Sequence, residues 1–319
     1  MPAVSVVIPS FRGGWLLREA VVSVQSQTLK DWELIIVSDG CEDDFSDIER
    51  LDKRVRVVRQ RNRGVSIARN VGIRHAQSEL VAFLDDDDRM LPDRLLAQFE
   101  VMSDETIGLC HTQFRIIDES GVVIGTGASH ESQYRDFLRD DGAILLSSTM
   151  IRKVLIQEVG GFNPLLPLSE DLDLLYRVAR ESTLSFLPDV LTEYRRHESN
   201  TSPTTSGGAE RKLILRQHLF AAEARGEAEN IRAIRHGMSY VLTGRAERAI
   251  RYAHEARSRQ NYLGMLSALG LALLLSPRLT LKVSLRQARR DTFGDHSPAT
   301  LANTRTRVGR ENGQPVEHN

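Results

Sequence analysis

Residues 80–88 are LVAFLDDDD, a short apolar run followed at once by four aspartates. The apolar run is typical of a strand that is buried on both faces, as strands of parallel sheets are. Four carboxylates so close together repel one another and raise each other's pKa unless a cation offsets their charge. Mg²⁺ and Mn²⁺ prefer carboxylate oxygens, so the run predicts a divalent metal site. The alternative is an acidic loop that caps the helix starting near Pro92.

Three further apolar runs have the same character: VSVVI (residues 4–8), ELIIV (33–37) and VRVV (55–58). Between them, residues 14–27 and 64–76 repeat apolar side chains at helical spacing. Strands that alternate with helices predict an α/β domain with a mainly parallel sheet. Ligands of such sheets bind beyond the carboxyl ends of the strands, which is where the four aspartates lie.

Two more polar residues follow predicted strands. Asp39 comes directly after the second run, where a carboxylate can accept a hydrogen bond from a base or a ribose. Its alternative role is that of a turn residue before Gly40. Arg69 lies on the helix after the turn Asn62-Arg63-Gly64, where a guanidinium can meet phosphate.

The chain after residue 100 is predicted to add an antiparallel part to the sheet and then helices only. The predicted elements are a strand over 107–117 that returns over 122–125, a strand over 144–151, a helix over 153–159, a helix from about Glu170 and a strand over 184–194. A polar linker over 199–208 then precedes helices broken at Gly226, Gly244 and Pro277, with a helical hairpin over 237–256.

The predicted organisation is an α/β domain over residues 1–204, a helical C-terminal region over 205–293 and a disordered tail over 294–319. Hydrophobic residues make up 41% and charged residues 27% of the 319 residues, which excludes a collagenous, low-complexity or wholly disordered chain. Two cysteines cannot form a disulfide framework, and the first residues lack the pattern of a secretory leader. We therefore expect the chain in the cytoplasm.

Charge is distributed unevenly, with a net −10 over residues 1–204 and a net +9 over 205–319. The basic C-terminal part favours an anionic surface as partner, while the acidic N-terminal part argues against nucleic acid. Residues 262–275, YLGMLSALGLALLL, are uncharged but shorter than the roughly 20 residues that span a bilayer. Basic residues on both sides fit an interfacial helix in peripheral contact with the inner face of the membrane. The alternative is a core helix of a small bundle with solvated basic faces.

Seven segments, in this order, carry a resemblance to a known family. They are VSVVIPSF (4–11), IIVSDG (35–40), NRGVSIARNVGI (62–73), FLDDDD (83–88), GGF (160–162), SEDLDL (169–174) and YRRH (194–197). Together they resemble the family 2 glycosyltransferases over about residues 3–200. The resemblance implies the GT-A fold, an α/β domain with a mixed sheet, followed here by the helical region.

The same resemblance implies a metal-dependent, inverting transfer of a sugar from a nucleotide-sugar donor, which is a UDP-, GDP- or dTDP-sugar. The implied acceptor is the hydroxyl of a glycan or a lipid-linked molecule, in polysaccharide, glycolipid or cell-envelope synthesis.

The resemblance also assigns residues to roles. Asp171 matches the catalytic base, and Mn²⁺ or Mg²⁺ is the implied cofactor. Arg12 departs from the family, where asparagine is usual, and is left out of the donor pocket. The implied nucleotide-sugar pocket consists of Pro9, Ser10, Phe11, Asp39, Arg69, Asp85 and Asp86, and the implied metal ligands are Asp85, Asp87 and His197.

These residue types suit the chemistry by themselves. A bound metal stabilises the negative charge that builds on a leaving diphosphate. A carboxylate on the opposite side of the sugar takes the proton of the attacking hydroxyl, and a one-step displacement inverts the anomeric centre. The alternative role of Asp171, at a helix start, is to complement the helix dipole.

Three other function classes share some of these features. A sugar nucleotidyltransferase is expected to have a glycine-rich phosphate loop after the first strand, where this chain has PSFRGG (residues 9–14). A dinucleotide-dependent oxidoreductase is disfavoured because no G-x-G-x-x-G follows that strand. An inactive, transferase-like protein that docks on a membrane is the third alternative, and the intact Asp85, Asp87 and Asp171 argue against it.

Overall fold

The computed structural model describes residues 1–11, 13–40, 52–139, 144–197 and 207–235, together with Phe45, Ile48 and Met238. These residues belong to one compact unit that runs from residue 1 to residue 241. Within the described ranges, nine strands form one sheet. The strands are β1 Val4–Ser10, β2 Trp32–Asp39, β3 Val55–Gln60, β4 Leu80–Phe83, β5 Arg89–Met90, β6 Ile107–Ile117, β7 Val123–Thr126, β8 Thr149–Arg152 and β9 Thr183–Arg195.

The first four strands form the parallel half of the sheet. β1 lies between β2 and β4, and β3 lies outside β2. All seven residues of β1 are buried, as expected for a strand covered on both faces. Val7, near its centre, pairs with Ile35 of β2 and Phe83 of β4. The parallel arrangement predicted from the apolar runs is confirmed.

The other half of the sheet is mixed. β8 pairs antiparallel with β4 on one side and with β6 on the other, while β9 runs parallel to β6. β7 returns antiparallel along the end of β6, and β5 pairs with β9 at the sheet edge. The strand order is β3-β2-β1-β4-β8-β6-β9-β5, with β7 beside β6. The antiparallel return predicted after residue 117 is therefore confirmed.

Helices cover both faces of the sheet and create two core layers. Successive side chains of a strand point to opposite faces, so Val7 lies in one layer and its neighbours Val6 and Ile8 lie in the other. The helices are α1 Gly14–Gln25, α2 Val65–His75, α3 Arg94–Val101, α4 Tyr134–Arg139, α5 Lys153–Glu158, α6 Glu170–Glu181 and α7 Gly207–Ala224. α1 and α3 contribute to the Val6 layer, and the other five contribute to the Val7 layer.

Gly72 lets α2 approach the sheet closely. A Cβ atom at this position would lie 2.4 Å from the Val7 Cγ1 atom, which is closer than two carbon atoms can pack. The glycine therefore brings α2 against β1, and with it Arg69, which lies one turn earlier on the same helix.

A strand was predicted over residues 144–151, and the start of that prediction is wrong. Residues 146–148 form a 3-10 turn, and β8 begins only at Thr149. The Ser148 hydroxyl donates to the Leu145 carbonyl at 2.7 Å, and the Thr149 hydroxyl donates to the Leu146 carbonyl at 2.8 Å. Hydroxyl side chains that bond the nearby backbone compete with ladder pairing, and here they close a turn.

The residues described between 207 and 235 are mostly helical, as predicted. α7 ends at Ala224, Gly226 has a φ of 69°, and helical residues resume over 228–235, so the break at Gly226 is confirmed. No helix in the described ranges is long and apolar enough to cross a bilayer. Arg12, the breaks at Gly244 and Pro277, the stretch 262–275, the tail 294–319 and, Met238 apart, the hairpin 237–256 lie outside the described residues.

Candidate active site

Polar residues collect at the carboxyl edge of the parallel strands. β1 ends at Ser10, β2 ends at Asp39, and β4 leads into residues 85–88, which we call the acidic loop. In open α/β sheets this edge is where ligands bind. A side-chain contact from α2 connects this edge to the first turn of α6.

Arg69 makes that connection. Its Nη2 donates to the Asp85 Oδ1 atom at 2.7 Å, and its Nη1 donates to the Glu170 Oε1 atom at 2.7 Å. The guanidinium lies 5.3 Å from the centre of the Phe162 ring and is 5% exposed. Burial by itself would lower the pKa of Arg69, but the charges of Asp85 and Glu170 outweigh it and raise that pKa. Arg69 thus stays a cation that holds two distant carboxylates together.

Glu170 and Asp171 open α6 and differ in their partners. Glu170 is buried and binds Arg69, whereas Asp171 accepts a hydrogen bond from the Leu172 backbone N–H at 2.6 Å. Burial raises the pKa of Asp171, the positive charge of Arg69 opposes this, and the negative charge of Asp85 adds to it. A carboxylate whose pKa is raised accepts a proton more readily than an ordinary one.

The acidic loop reduces its own repulsion by giving every carboxylate a separate partner. The loop closes through a hydrogen bond from the Asp88 N–H to the Asp85 carbonyl at 3.2 Å. Asp85 Oδ1 accepts a hydrogen bond from Arg69 at 2.7 Å, and Asp86 Oδ2 accepts one from the Ser10 hydroxyl at 2.6 Å. Asp88 Oδ1 accepts a hydrogen bond from the Arg195 backbone N–H at 2.9 Å. Asp87 Oδ2 lies 2.9 Å from His197 Nε2.

Asp86, Asp87 and Asp88 nevertheless have raised pKa values. Burial raises the pKa of Asp86 to about 6, with Ser10 opposing the shift and the neighbouring aspartates adding to it. Burial and the charge of Asp85 raise the pKa of Asp87. Negative charge concentrated in this way at the edge of the site favours a cation there.

Asp87 and His197 are the predicted metal ligands that contact each other. The Asp87 Oδ2 atom lies 2.9 Å from His197 Nε2, and the two side chains are 22% and 10% exposed. Within the described ranges, no group of three or more His, Cys, Asp or Glu side chains is placed to hold a metal. Two protein ligands are enough for Mg²⁺ or Mn²⁺, because phosphate oxygens and water fill most of the coordination shell of such an ion. Asp85, the third predicted ligand, is bound to Arg69.

Asp39 is 4% exposed and organises the turn that precedes α2. Its Oδ1 accepts from the Gln60 side chain at 2.7 Å and from the Arg63 N–H at 2.8 Å, and its Oδ2 accepts from the Gly64 N–H at 2.8 Å. Gly64 adopts a φ of 89°, a conformation that favours glycine. The part of Asp39 in nucleotide binding stays a prediction.

The remaining predicted pocket residues differ in accessibility. Pro9 is buried inside β1 opposite Val37, Ser10 is buried against Asp86, and the Phe11 ring is 53% exposed. Only Phe11 of these three offers a free side-chain face to a ligand.

Sequence reasoning missed two residues that hold the acidic loop. The Ser147 hydroxyl accepts from the Asp85 N–H at 3.1 Å, and the Arg195 guanidinium donates to the Asp87 carbonyl at 3.0 Å. Arg195 stands in the YRRH segment, which was the available signal, but its role depends on contacts with residues far away in the sequence.

The sequence model of glycosyl transferase family 2 matches residues 5–150. Residues 5–150 are therefore similar to glycosyl transferase family 2. The match contains Asp39, Arg69 and the acidic loop, and it ends before Glu170 and Asp171.

Proteins similar to this chain come from several bacteria. A glycosyltransferase of Rickettsia felis, named as uncharacterized, is 38% identical over 125 residues, which are 38% of this chain and 21% of that protein. WfgD of Escherichia coli is 27% identical over 155 residues, 48% of this chain and 61% of that protein. Its name is UDP-Glc:alpha-D-GlcNAc-diphosphoundecaprenol beta-1,3-glucosyltransferase. The chain spans about a fifth of the length of three of the Rickettsia relatives that it matches.

Crystal structures of TarS from S. aureus share the fold. One, in complex with UDP-GlcNAc, gives a TM-score of 0.57 over 84% of this chain and 90% of that chain, at 15% identity. Another gives a TM-score of 0.61 over 88% of this chain and 50% of that chain, at 18% identity. The predicted GT-A-type α/β fold with a mixed sheet is confirmed.

Proposed function

We propose that this chain is a glycosyltransferase that moves a sugar from a nucleotide-sugar donor to an acceptor hydroxyl, with a divalent metal and with inversion. The observation that carries the proposal is the Arg69 bridge, which brings Asp85 of the acidic loop and Glu170 of α6 to one place at the carboxyl edge. The family 2 match supports it. Neither the acidic loop nor the α6 carboxylates alone would define a transferase.

Asp171 is proposed as the general base. Arg69 binds its neighbour Glu170, and the Asp171 carboxylate keeps a raised pKa, so it suits proton abstraction from the acceptor hydroxyl. That hydroxyl attacks the anomeric carbon as the bond to the diphosphate oxygen breaks. Attack from the face opposite the leaving group inverts the anomeric centre.

The proposed donor pocket lies between β1, β2 and the acidic loop. Phe11 presents an exposed ring beside Ser10, and Asp39 fixes the turn that carries α2 and Arg69. A UDP-sugar is the first donor to test, because TarS was solved with UDP-GlcNAc and the name of WfgD specifies UDP-Glc.

Asp87 and His197 would hold Mn²⁺ or Mg²⁺, with Asp85 as a further ligand if it leaves Arg69. When bound, the ion supplies Lewis-acid stabilisation of the leaving diphosphate. The chain's own part is to hold the Asp87 carboxylate beside the His197 imidazole.

The proposed acceptor is a glycan or a lipid-linked sugar of the cell envelope. WfgD is named for a diphosphoundecaprenol-linked acceptor, and the net +9 of residues 205–319 suits the inner face of an anionic membrane. We propose a cytoplasmic protein in peripheral contact with that face.

A thermal-shift screen of the full chain tests the proposal. UDP, GDP, dTDP and their sugar nucleotides are added with and without Mn²⁺, because a ligand at 100 times its Kd stabilises the folded state by about 2.7 kcal/mol. The expected result is a metal-dependent rise in Tm for one nucleotide class, followed by slow release of that diphosphate from its sugar nucleotide. No shift with any nucleotide would overturn the donor site. A shift without release would favour the inactive, membrane-docking alternative.

A further inference from the structure

Arg195, at the end of β9, joins the acidic loop to two other parts of the unit. We infer that Arg195 is a positioning residue that fixes the main chain of the acidic loop and thereby the direction in which the Asp87 carboxylate points. The inference deepens the proposed function and rests on it where the cation is concerned.

Arg195 holds the acidic loop at two points. Its Nε donates to the Asp87 carbonyl at 3.0 Å, and its backbone N–H donates to the Asp88 Oδ1 atom at 2.9 Å. The side chain is 1% exposed. Two consecutive residues of the loop are therefore attached to one residue that cannot move into solvent.

The rest of the guanidinium is attached elsewhere. Its Nη1 donates to the Asp118 carbonyl at 3.2 Å and to the Glu119 carbonyl at 2.7 Å, in the turn between β6 and β7. Its Nη2 forms an ion pair with Glu19 of α1. The Trp15 ring, 56% exposed on the same helix, lies 5.4 Å from the guanidinium carbon. Arg195 thus spans the loop, the β6–β7 turn and α1.

The chemistry of the side chain explains why an arginine stands here. A guanidinium is planar, stays charged and presents its N–H groups in a rigid fork, so one side chain serves acceptors in several directions. A lysine has three donors on one flexible atom and cannot reach the same acceptors from one place. Burying the charge costs free energy that the ion pair and the carbonyl acceptors offset.

Arg195 lies next to both residues of the proposed cation site, Asp87 and His197. His197 follows it by two positions in the chain, and Asp87, which faces His197 at 2.9 Å, is held through its carbonyl. Groups that orient metal ligands from outside typically change metal affinity about 10- to 100-fold when they are altered. Without the Arg195 guanidinium, Asp87 and His197 are both still present, but the Asp87 carboxylate is no longer held in the direction of His197.

Amide hydrogen exchange on the full chain tests the positioning role without any ligand. Arg195→Lys is compared with Arg115→Lys, because Arg115 pairs with Glu193 on the same two strands and does not contact the loop. We expect faster exchange of the Asp88 and Gly121 amides, which bond Asp85 O and Asp118 O, in the first variant alone. Equal exchange in both variants would overturn the inference.

Binding of Mn²⁺ in the presence of UDP, measured from the EPR signal of free Mn²⁺, tests the consequence. Arg195→Lys is expected to bind Mn²⁺ about 10- to 100-fold more weakly, while Arg115→Lys binds it as the wild type does. Unchanged affinity in Arg195→Lys contradicts the inference. A wild type that binds no Mn²⁺ contradicts the proposed cation site instead, and the exchange result still decides the positioning role.

Glu19→Gln serves if Arg195→Lys does not fold. Glu19 is 40% exposed and pairs with Arg195 and, at 3.5 Å, with Arg89. Glutamine has the same shape as glutamate, so the substitution removes the charge of both ion pairs and little else. In Glu19→Gln we expect faster exchange of the Asp88 and Gly121 amides and weaker binding of Mn²⁺, both by a smaller amount than in Arg195→Lys. No change in either of them overturns the inference.

Discussion

At the scale of single residues, Arg69 separates the roles of two adjacent carboxylates. It neutralises Glu170 directly at 2.7 Å and leaves Asp171 with a backbone donor, Leu172 N–H. Neighbouring helical residues point about 100° apart, so the two carboxylates cannot face the same atom. Arg69 therefore binds one of the two carboxylates directly, and the proposal assigns proton transfer to the one that it does not bind.

Asp171→Asn is expected to lower kcat by about 10²- to 10⁴-fold and to leave donor affinity nearly unchanged, because the amide keeps the shape and loses the basicity. Steady-state transfer kinetics and UDP titration measure the two quantities. Asp189→Asn, the same change at an exposed site on β9, is the matched control. Glu170→Gln should cost less in kcat; if it abolishes transfer while Asp171→Asn does not, Glu170 is the base.

Asp87→Ala is expected to abolish the metal-dependent part of nucleotide binding and to leave Tm unchanged or higher. Burial and the charge of Asp85 raise the pKa of Asp87, so ionising this carboxylate costs more free energy in the folded state than in the unfolded chain. Its removal relieves that repulsion at the expense of the contact with His197. UDP titrations with and without Mn²⁺, together with thermal melts, measure both effects. Unchanged metal dependence would show that the cation site is elsewhere.

At the scale of elements, most strands and the return after residue 117 could be predicted, but the turn before β8 could not. A short, continuous apolar run such as residues 4–8 is typical of a strand that is buried on both faces, and it predicts that strand directly. The segment 144–151 looked equally apolar, yet Ser148 and Thr149 bond backbone carbonyls and turn its first part. That turn carries Ser147, which binds the acidic loop, so the mistaken element hid a site residue.

α7 attaches to α4 and α6 through a buried histidine. His218 is 6% exposed, its Nδ1 lies 2.8 Å from the Tyr134 hydroxyl, and its ring centre lies 5.3 Å from that of Tyr176. Burial, with the charges of nearby arginines, lowers the pKa of His218 to about 4. The helix is therefore packed around a neutral imidazole.

Acid is expected to destabilise the fold through this group. The pKa of His218 is about 4 in the folded state and about 6.5 in the unfolded chain, so its contribution is complete above pH 6.5 and is lost as the pH falls towards 4. Burial lowers the pKa of His111 to about 4 as well, so both histidines steepen the decline. Urea unfolding at a series of pH values should show a shallower decline for His218→Gln. The same slope in both proteins would contradict the prediction.

At the scale of the whole molecule, the site joins positions that no local pattern connects. Arg195 binds the Asp87 carbonyl 108 positions earlier and Glu19 176 positions earlier, and Arg69 binds Glu170 101 positions later. The sequence predicted which residue types the chemistry needs and which strand ends carry them. It could not predict which partner each carboxylate takes, because four aspartates in a row are equivalent until the fold surrounds each one differently.

The basic C-terminal part leads to the last prediction, which uses the full chain. α7 places Ile214 and Leu215 in the Val7 core layer, so truncation at residue 204 would remove part of the core as well as the positive charge. Replacing basic residues by glutamine after the apolar stretch 262–275 avoids this problem. The chosen positions are Arg278, Lys282, Arg286, Arg289 and Arg290.

Each basic residue near an anionic surface contributes about 1 kcal/mol of attraction, which salt screens. We expect the wild type to float with anionic liposomes at low salt, to float less at high salt and to stay behind with neutral liposomes. The five-glutamine variant should stay behind in all three conditions. Because the change leaves residues 1–241 untouched, donor-induced thermal shifts should match those of the wild type and confirm that the domain is intact. Equal flotation of both proteins would mean that the charge after residue 275 does not hold the chain at a membrane, and an apolar or protein contact would then have to do so.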